Sequence, residues 1–445
     1  MRLLDQVRGS AEIALVLRGD RRIPFLPRER LDAVRDANVR AIVTHAAANV
    51  PFYRDWFARE RVDPREIRTA AELDRLPLLD KSEVREEPRL FLAEGRAARG
   101  AVRVTTSGST GTPTEIHHDR RSLLANVAYG ERERRPVIDG TGGSFRPREL
   151  YVGNETSVIK TVTAFYEANT LFVRPRRRFV SVREPVERVA ELIDAERPDL
   201  LTGYGGWVHL FFKTVAARGI ELRHPPRMVM YMAEALPPGG LELIEEEFGI
   251  PVMSRYSAAE AFKIGFYCER RSGFHLHEDL CHVRAGEGGS LIVSNLVNRA
   301  TVLLNYPIGD VGRLTGEPCG CGRTFRLLSE LEGRDEDMLP LEDGRVVHPR
   351  AVWQVFMNDP DVLQYQLVQH EPRRFALELA TVDEEAYSRA RARALPELEQ
   401  LLRPDPVVEV RRRPELERRA GGKFRPVASL CGRSAPTGQG TAAGR

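Results

Sequence analysis

Cysteine is scarce in this chain: five residues among 445. So few thiols over such a length exclude a disulfide-stapled scaffold, whose small domains are dense in cysteine. No run approaches the roughly 18 consecutive apolar residues of a membrane helix. Met1 to Asp20 mixes charges among its apolar residues and does not read as a secretory signal. An excess of one charge is lacking too, since 67 Lys and Arg against 64 Asp and Glu leave a net +3. That balance offers no argument for nucleic acid or a membrane as the main partner. The clusters Arg176–Arg178 and Arg411–Arg413 read as solvated surface. There is no internal repeat. With 42% hydrophobic and 29% charged residues, the chain reads as a cytoplasmic enzyme with ample length for a large core.

What is present is alternation. Leu31, Val34, Ala41, Ile42 and His45 recur at helical spacing, and that helix should stop before Pro51. Val186, Val189, Ala190 and Ile193 fit an amphipathic helix. Asp199–Tyr204 then reads as a strand, Trp207–Ala217 as a helix ending at Gly219, and Arg227–Ala233 as a buried strand. Leu241, Ile244 and Phe248 mark another helix capped by Gly249, before a strand at Pro251–Tyr256. Strand alternating with helix predicts an α/β fold with a mainly parallel sheet covered on both faces. After Gly286 short β runs follow. From about 338 the pattern becomes a small α+β domain: a helix over Ala351–Met357 opened by Pro349, strands at Val362–Val368 and Phe375–Ala380, a helix over Glu384–Leu402 and a strand at Val407–Val410. The expected division is a large domain over 1–331, a hinge over 332–337, a small domain over 338–432 and a disordered tail over 433–445.

The chemistry is concentrated in short strings. Thr106-Ser107-Gly108-Ser109-Thr110-Gly111-Thr112 packs hydroxyls and glycines more densely than a turn requires. Glycines let backbone N–H groups approach a phosphate, and the hydroxyls add donors. No Gly-Lys-Ser/Thr follows, so this is not a Walker loop. Tyr256-Ser257-Ala258-Ala259-Glu260 ends a predicted strand, where open α/β sheets bind ligands.

The loop string resembles the phosphate loop of the adenylate-forming superfamily of acyl-CoA ligases, luciferases and peptide-synthetase adenylation domains. Many members carry a lysine after the proline; this chain has Thr114 there, which resembles phenylacetate–CoA ligases and their relatives. His45 to Trp56 and Leu76 to Lys81 also resemble that branch, and the likeness extends over about residues 29–430. The resemblance implies a large α/β domain with a mobile small α+β domain, and the use of ATP with Mg²⁺ and coenzyme A. It implies that Glu260 helps hold Mg²⁺, that Tyr256 and Ser257 lie at adenine, and that Ala233 and Glu234 line the adenine pocket. Tyr306-Pro307-Ile308-Gly309-Asp310 resembles the motif whose aspartate takes both ribose hydroxyls, a geometry one carboxylate can satisfy. Glu332-Gly333-Arg334-Asp335-Glu336-Asp337 resembles the hinge motif, with Arg334 on ribose or phosphate and Glu336 as the hinge residue. The stretch after it, Asp343 to Pro349, departs from relatives on the side that would meet coenzyme A. Gly421-Gly422-Lys423-Phe424-Arg425 resembles the C-terminal loop whose lysine reaches the carboxylate and the α-phosphate, where an ammonium stabilises developing charge.

Four cysteines fall between 268 and 321, with Cys319-Gly320-Cys321 on a tight knuckle and His275 seven residues after Cys268. Cys268, His275, Cys319 and Cys321 make a tetrahedral zinc set, with His277, Cys281 and His282 as rivals. The arrangement also resembles a structural zinc site in some phenylacetate–CoA ligase relatives. Tyr204, Gly205, Trp207 and Ala258 are candidates for the acid pocket, and Tyr204 and Trp207 fit the core equally well.

The expected reaction is AMP-forming activation of a small carboxylic acid, with an aryl acid weakly preferred, followed by transfer to coenzyme A. The alternatives are an amide ligase with an amine acceptor and a zinc-bearing, nucleotide-binding relative without catalysis. A homodimer is left open.

Overall fold

The computed structural model describes residues 2–95, 98–106, 113–154, 157–237, 239–334, 337–357, 359–418 and 422–431. The chain divides into two compact units. One is Met1–Glu332 together with Arg418–Phe424; the other is Gly333–Glu417 together with Arg425–Arg445.

The first unit opens with helices Arg2–Asp20, Arg28–Asn49 and Pro51–Glu60. Pro51 ends one helix and begins the next, because a proline cannot donate within a helix but fits its first turn. A two-stranded hairpin follows, β1 (Val102–Thr105) with β2 (Glu115–His118).

The centre is an 11-stranded sheet. Its strands are β3 (Arg148–Gly153), β4 (Arg176–Ser181), β5 (Leu200–Tyr204), β6 (Met228–Met232), β7 (Val252–Ala258), β8 (Phe262–Tyr267) and β9 (Phe274–Leu276). They continue with β10 (Cys281–Ala285), β11 (Ser290–Asn295), β12 (Tyr306–Thr315) and β13 (Leu327–Arg334). Their order is β10-β11-β12-β13-β9-β8-β7-β6-β5-β3-β4. From β7 to β4 every neighbouring pair is parallel. On the far side of β7, the ladders β7–β8, β8–β9, β9–β13, β12–β11 and β11–β10 are antiparallel.

The parallel half follows the alternation. Helices Val186–Glu196 and Gly205–Arg218 lie between strands, and Gly219 closes the second with φ +62. Leu150, Val152, Val189, Ile193, Leu201, Phe211, Val229 and Val252 form its core. β5 is buried at all five positions, as a strand covered on both faces must be.

The second unit holds a four-stranded sheet, β18 (Val407–Arg413), β17 (Arg374–Ala380), β16 (Gln364–Glu371) and β19 (Val427–Ser429), in that order, with a short pair β14 (Leu339–Pro340) and β15 (Val346–Val347). Helices Pro349–Phe356 and Glu384–Leu402 bury Val352, Phe356, Ala390, Ala394, Leu398 and Leu402 in one core with Leu367, Phe375 and Leu377. The tail expected to be disordered lies outside the described residues.

Candidate active site

β5, β6 and β7 run side by side, pairing Tyr204 with Met232 and Met232 with Arg255. Their carboxyl ends therefore bring Tyr204, Ala233–Glu234 and Tyr256 to one edge of the sheet, the edge at which open α/β sheets take ligands. A bulge between Tyr256 and Ser257 interrupts the β7–β8 register there, a device that re-aims side chains beside a site.

The hydroxyl-rich loop, Ser107–Thr112, lies outside the described residues, but its neck does not. Thr106 N donates to the Thr114 carbonyl at 3.0 Å, and Thr114 N donates to Thr106 Oγ1 at 2.9 Å. Below the neck, Val104 and Ile116 share a buried cluster with Leu303 and Tyr306, and Ala259 packs against it. His118 reinforces the join: its Nε2 lies 2.7 Å from the Ala259 carbonyl, and its ring stacks on Phe262. One apolar cluster thus carries the base of the loop, the Tyr256–Glu260 string and the start of the Tyr306–Asp310 string.

Across that cluster the Tyr256 hydroxyl donates to Asp310 Oδ2 at 2.7 Å. Asn295 Nδ2 donates to the Glu260 carbonyl at 3.1 Å, so Glu260 stands on a fixed backbone at the rim. Lys81 also belongs here. A Cβ built on Gly309 would fall 2.2 Å from Lys81 Nζ, so the ammonium lies against the backbone just before Asp310, at a position whose φ of +89 favours glycine. Leu79 N donates to the Asn305 carbonyl, which fixes the segment before Lys81 to the start of β12.

Lys423 and Phe424 are part of the first unit. Phe424 N donates to Glu234 Oε1 at 2.7 Å, and Gly206 N donates to Glu234 Oε2 at 3.2 Å. A Cβ built on Gly422 would fall 3.1 to 3.3 Å from Val182, Asn154 and Tyr204 side chains. Burial raises the Glu234 carboxyl pKa, against the pull of Arg418 and Lys423. Tyr204 accepts a hydrogen bond at its hydroxyl from Asn154 N. Gly205 opens the helix after β5, and Ala258 ends β7, half-buried at the same edge. Trp207 is 2% exposed and stacks on Phe211 inside the core. Ser257 continues β7 at this edge, Arg334 ends β13, and Asp335 and Glu336 lie outside the described residues.

Away from this edge, one ligand atom from each of Cys268, His275, Cys319 and Cys321 lies within 4.8 Å of the others. Cys268 Sγ is 3.7 Å from Cys319 Sγ, and Cys321 Sγ is 3.3 Å from His275 Nε2. Bonds of about 2.3 Å to a tetrahedral zinc put two sulfurs about 3.8 Å apart, so the set fits that ion. Arg270 N and Arg323 N donate to Cys268 and Cys321 sulfurs, and Gly322 turns the knuckle at φ +81. Burial pushes the Cys268 thiol up to about 12 and His275 down to about 4. The rivals sit elsewhere: His277 faces Arg132, Cys281 is in the core of the antiparallel half, and His282 is outside the set.

No protein-family model matches the chain. The phenylacetate–coenzyme A ligase of Thermus thermophilus is 27% identical over 369 residues, 77% of this chain and 79% of that protein. The phenylacetate–coenzyme A ligase of Escherichia coli is 24% identical over 336 residues, 70% and 72% of the two. A crystal structure of 2-hydroxyisobutyryl-CoA ligase in the postadenylation state, in complex with 2-HIB-AMP, matches with a TM-score of 0.73 at 17% identity, covering 92% of this chain and 91% of that one. The fold is that of the adenylate-forming ligases.

Proposed function

We propose that this chain, a relative of the phenylacetate–coenzyme A ligases with the adenylate-forming fold, activates a small carboxylic acid with ATP and passes the acyl group to coenzyme A. The observation that carries the reading is the meeting of separate strings at one sheet edge: the loop neck and Tyr306 on one cluster with Ala259, and Tyr256 on Asp310. In the first step a carboxylate oxygen attacks the α-phosphorus, an acyl–phosphate bond forms and pyrophosphate leaves. In the second the thiol sulfur attacks the acyl carbon and AMP leaves. Asp310 would accept from the ribose hydroxyls and the loop over 106–112 would donate to the phosphates. Lys423 would stabilise the charge that builds on phosphorus during attack, an effect worth about 10²–10³ in rate for one well-placed donor.

Two ions belong to the proposal. Glu260 is one half-buried carboxylate next in the chain to Ala259, which packs on the cluster under the loop neck; one such carboxylate suits Mg²⁺, an ion that takes one or two carboxylates and shares the phosphates. When bound, it would neutralise phosphate charge. Cys268, His275, Cys319 and Cys321 would hold zinc with no open position, a structural role.

The curated relatives named phenylacetate–coenzyme A ligase favour an aryl or arylacetic acid. Incubation with ATP, Mg²⁺, coenzyme A and a panel of acids should yield AMP and one acyl-CoA, read by mass spectrometry. Absence of both products with every acid, from folded metal-loaded protein, would sink the proposal.

A further inference from the structure

Glu234 is more than a wall of the site. Ala233 sits at φ +65, and Glu234 N donates to the Met232 carbonyl at 2.8 Å. That is the i to i+2 bond of a γ-turn of the rare, strained hand, and strain of this kind persists only where the surroundings impose it. The turn aims the Glu234 carboxylate inward, where 11% of the side chain stays exposed. Each oxygen then meets one backbone N–H: Gly206 at 3.2 Å, at the start of the helix after β5, and Phe424 at 2.7 Å, next to Lys423. Arg418, across the same loop, lies 4.0 Å from the carboxylate and donates to the Gly422 carbonyl. Gly205 is needed for this approach: a Cβ there would fall 2.3 Å from the Ala235 carbonyl oxygen and 2.5 Å from the Glu234 carbonyl oxygen, whereas one on Gly206 would press on Glu234 Oε2 at 2.9 Å.

We propose that Glu234 is a positioning residue that clamps the loop Gly422–Phe424 by its backbone and so sets Lys423 to stabilise the charge that builds as the substrate carboxylate attacks the α-phosphorus. The clamp rests on the acid activation proposed above. A clamp of this kind serves adenylation, in which Lys423 acts, and serves the thiol step less. Glu234 acts through the loop, not on the reacting atoms.

Two readouts test it. Amide hydrogen exchange of a peptide spanning Gly422–Phe424 needs no substrate. In Glu234→Ala it should exchange at least about tenfold faster than in the natural chain, the size expected for losing a hydrogen bond to a charged acceptor. Peptides from β5 and β6 should be unchanged. The second readout splits the reaction. The kcat of acid-dependent ATP–pyrophosphate exchange should fall at least about tenfold, with the KM for ATP within about twofold. Thioester formation from synthetic acyl-adenylate and coenzyme A should fall far less. Glu234→Gln keeps one acceptor, should give an intermediate loop rate, and serves if the alanine variant does not fold. Unchanged exchange of the 422–424 peptide in the folded variants overturns the clamp. So does a raised KM for ATP with kcat preserved, which would make Glu234 an adenine contact. If the natural chain shows no pyrophosphate exchange with any acid, the function proposed above fails while the loop measurement still judges the clamp.

Discussion

At the scale of single residues, the candidate site is legible in the sequence wherever a residue lies in a dense, ordered string. Glu260 and Asp310 stand out that way, whereas Lys423, a single lysine in a glycine loop, stands out only by the order of the strings along the chain. Lys81 enters only as the end of a resembling segment, because a lone lysine carries no signal until its ammonium is seen against Gly309. Trp207 shows the opposite failure. An aromatic next to two glycines reads equally as pocket or core, and its stacking on Phe211 is a three-dimensional fact. The ribose role proposed for Asp310 predicts that Asp310→Asn raises the KM for ATP about tenfold, the worth of one charged hydrogen bond, in acid-dependent pyrophosphate exchange. An unchanged KM would remove that role.

His118 gives a residue-scale prediction for stability. It is fully buried, and burial pushes its imidazole down to about 4 from the ordinary 6.5. Between those values the unfolded chain takes up a proton that the folded chain refuses. Its contribution is therefore intact above pH 6.5 and lost as the pH falls toward 4. A shift of that size is worth up to about 3 kcal/mol. Urea unfolding followed over this range should show the decline, and His118→Asn should flatten it in part. Equal slopes for the two proteins would contradict the assignment.

At the scale of elements, periodicity locates the regular pieces. The helix Glu384–Leu402 falls where its apolar spacing puts it, and glycine marks the end of the helix after β5. The first helix, Arg2–Asp20, is not legible. Its charges interrupt the apolar residues, and its hold on the unit comes from distant partners. The chief one is a buried network: the Arg132 side chain is fully buried and pairs with Asp279 at 2.7 Å and with Asp20, itself the last residue of that helix. Partners this far apart in the chain leave no local pattern. Arg132→Met should leave two buried carboxylates unpaired and cost about 3–5 kcal/mol in chemical denaturation. A cost below about 1 kcal/mol would show that the network is dispensable.

The cysteine knuckle is legible from spacing, and His275 is named with it from the sequence, with His277 and His282 as rivals. Fold geometry selects His275 over His277 and His282 by bringing β9 beside the knuckle. Metal analysis should find about one zinc per chain. Cys319→Ser should lose it and lower the Tm by several degrees, because metal binding energy becomes folding energy. A metal-free natural chain with the same Tm would contradict a structural ion.

At the scale of the whole molecule, the alternation of strand and helix fixes only the parallel half of the sheet. The antiparallel half joins it through long-range ladders such as β9 to β13, which no local periodicity announces. What the fold then supplies is coincidence: strings far apart in the chain reach one edge, Tyr256 on Asp310 and Glu234 on the residue after Lys423. The claim that this edge activates a carboxylic acid is tested most directly by ATP–pyrophosphate exchange, run on the natural chain and on Lys423→Ala with the acid that gives the highest rate. The account predicts acid-dependent exchange that falls about 10²-fold or more in the variant. Exchange that is absent with every acid, or equally fast without Lys423, would contradict it.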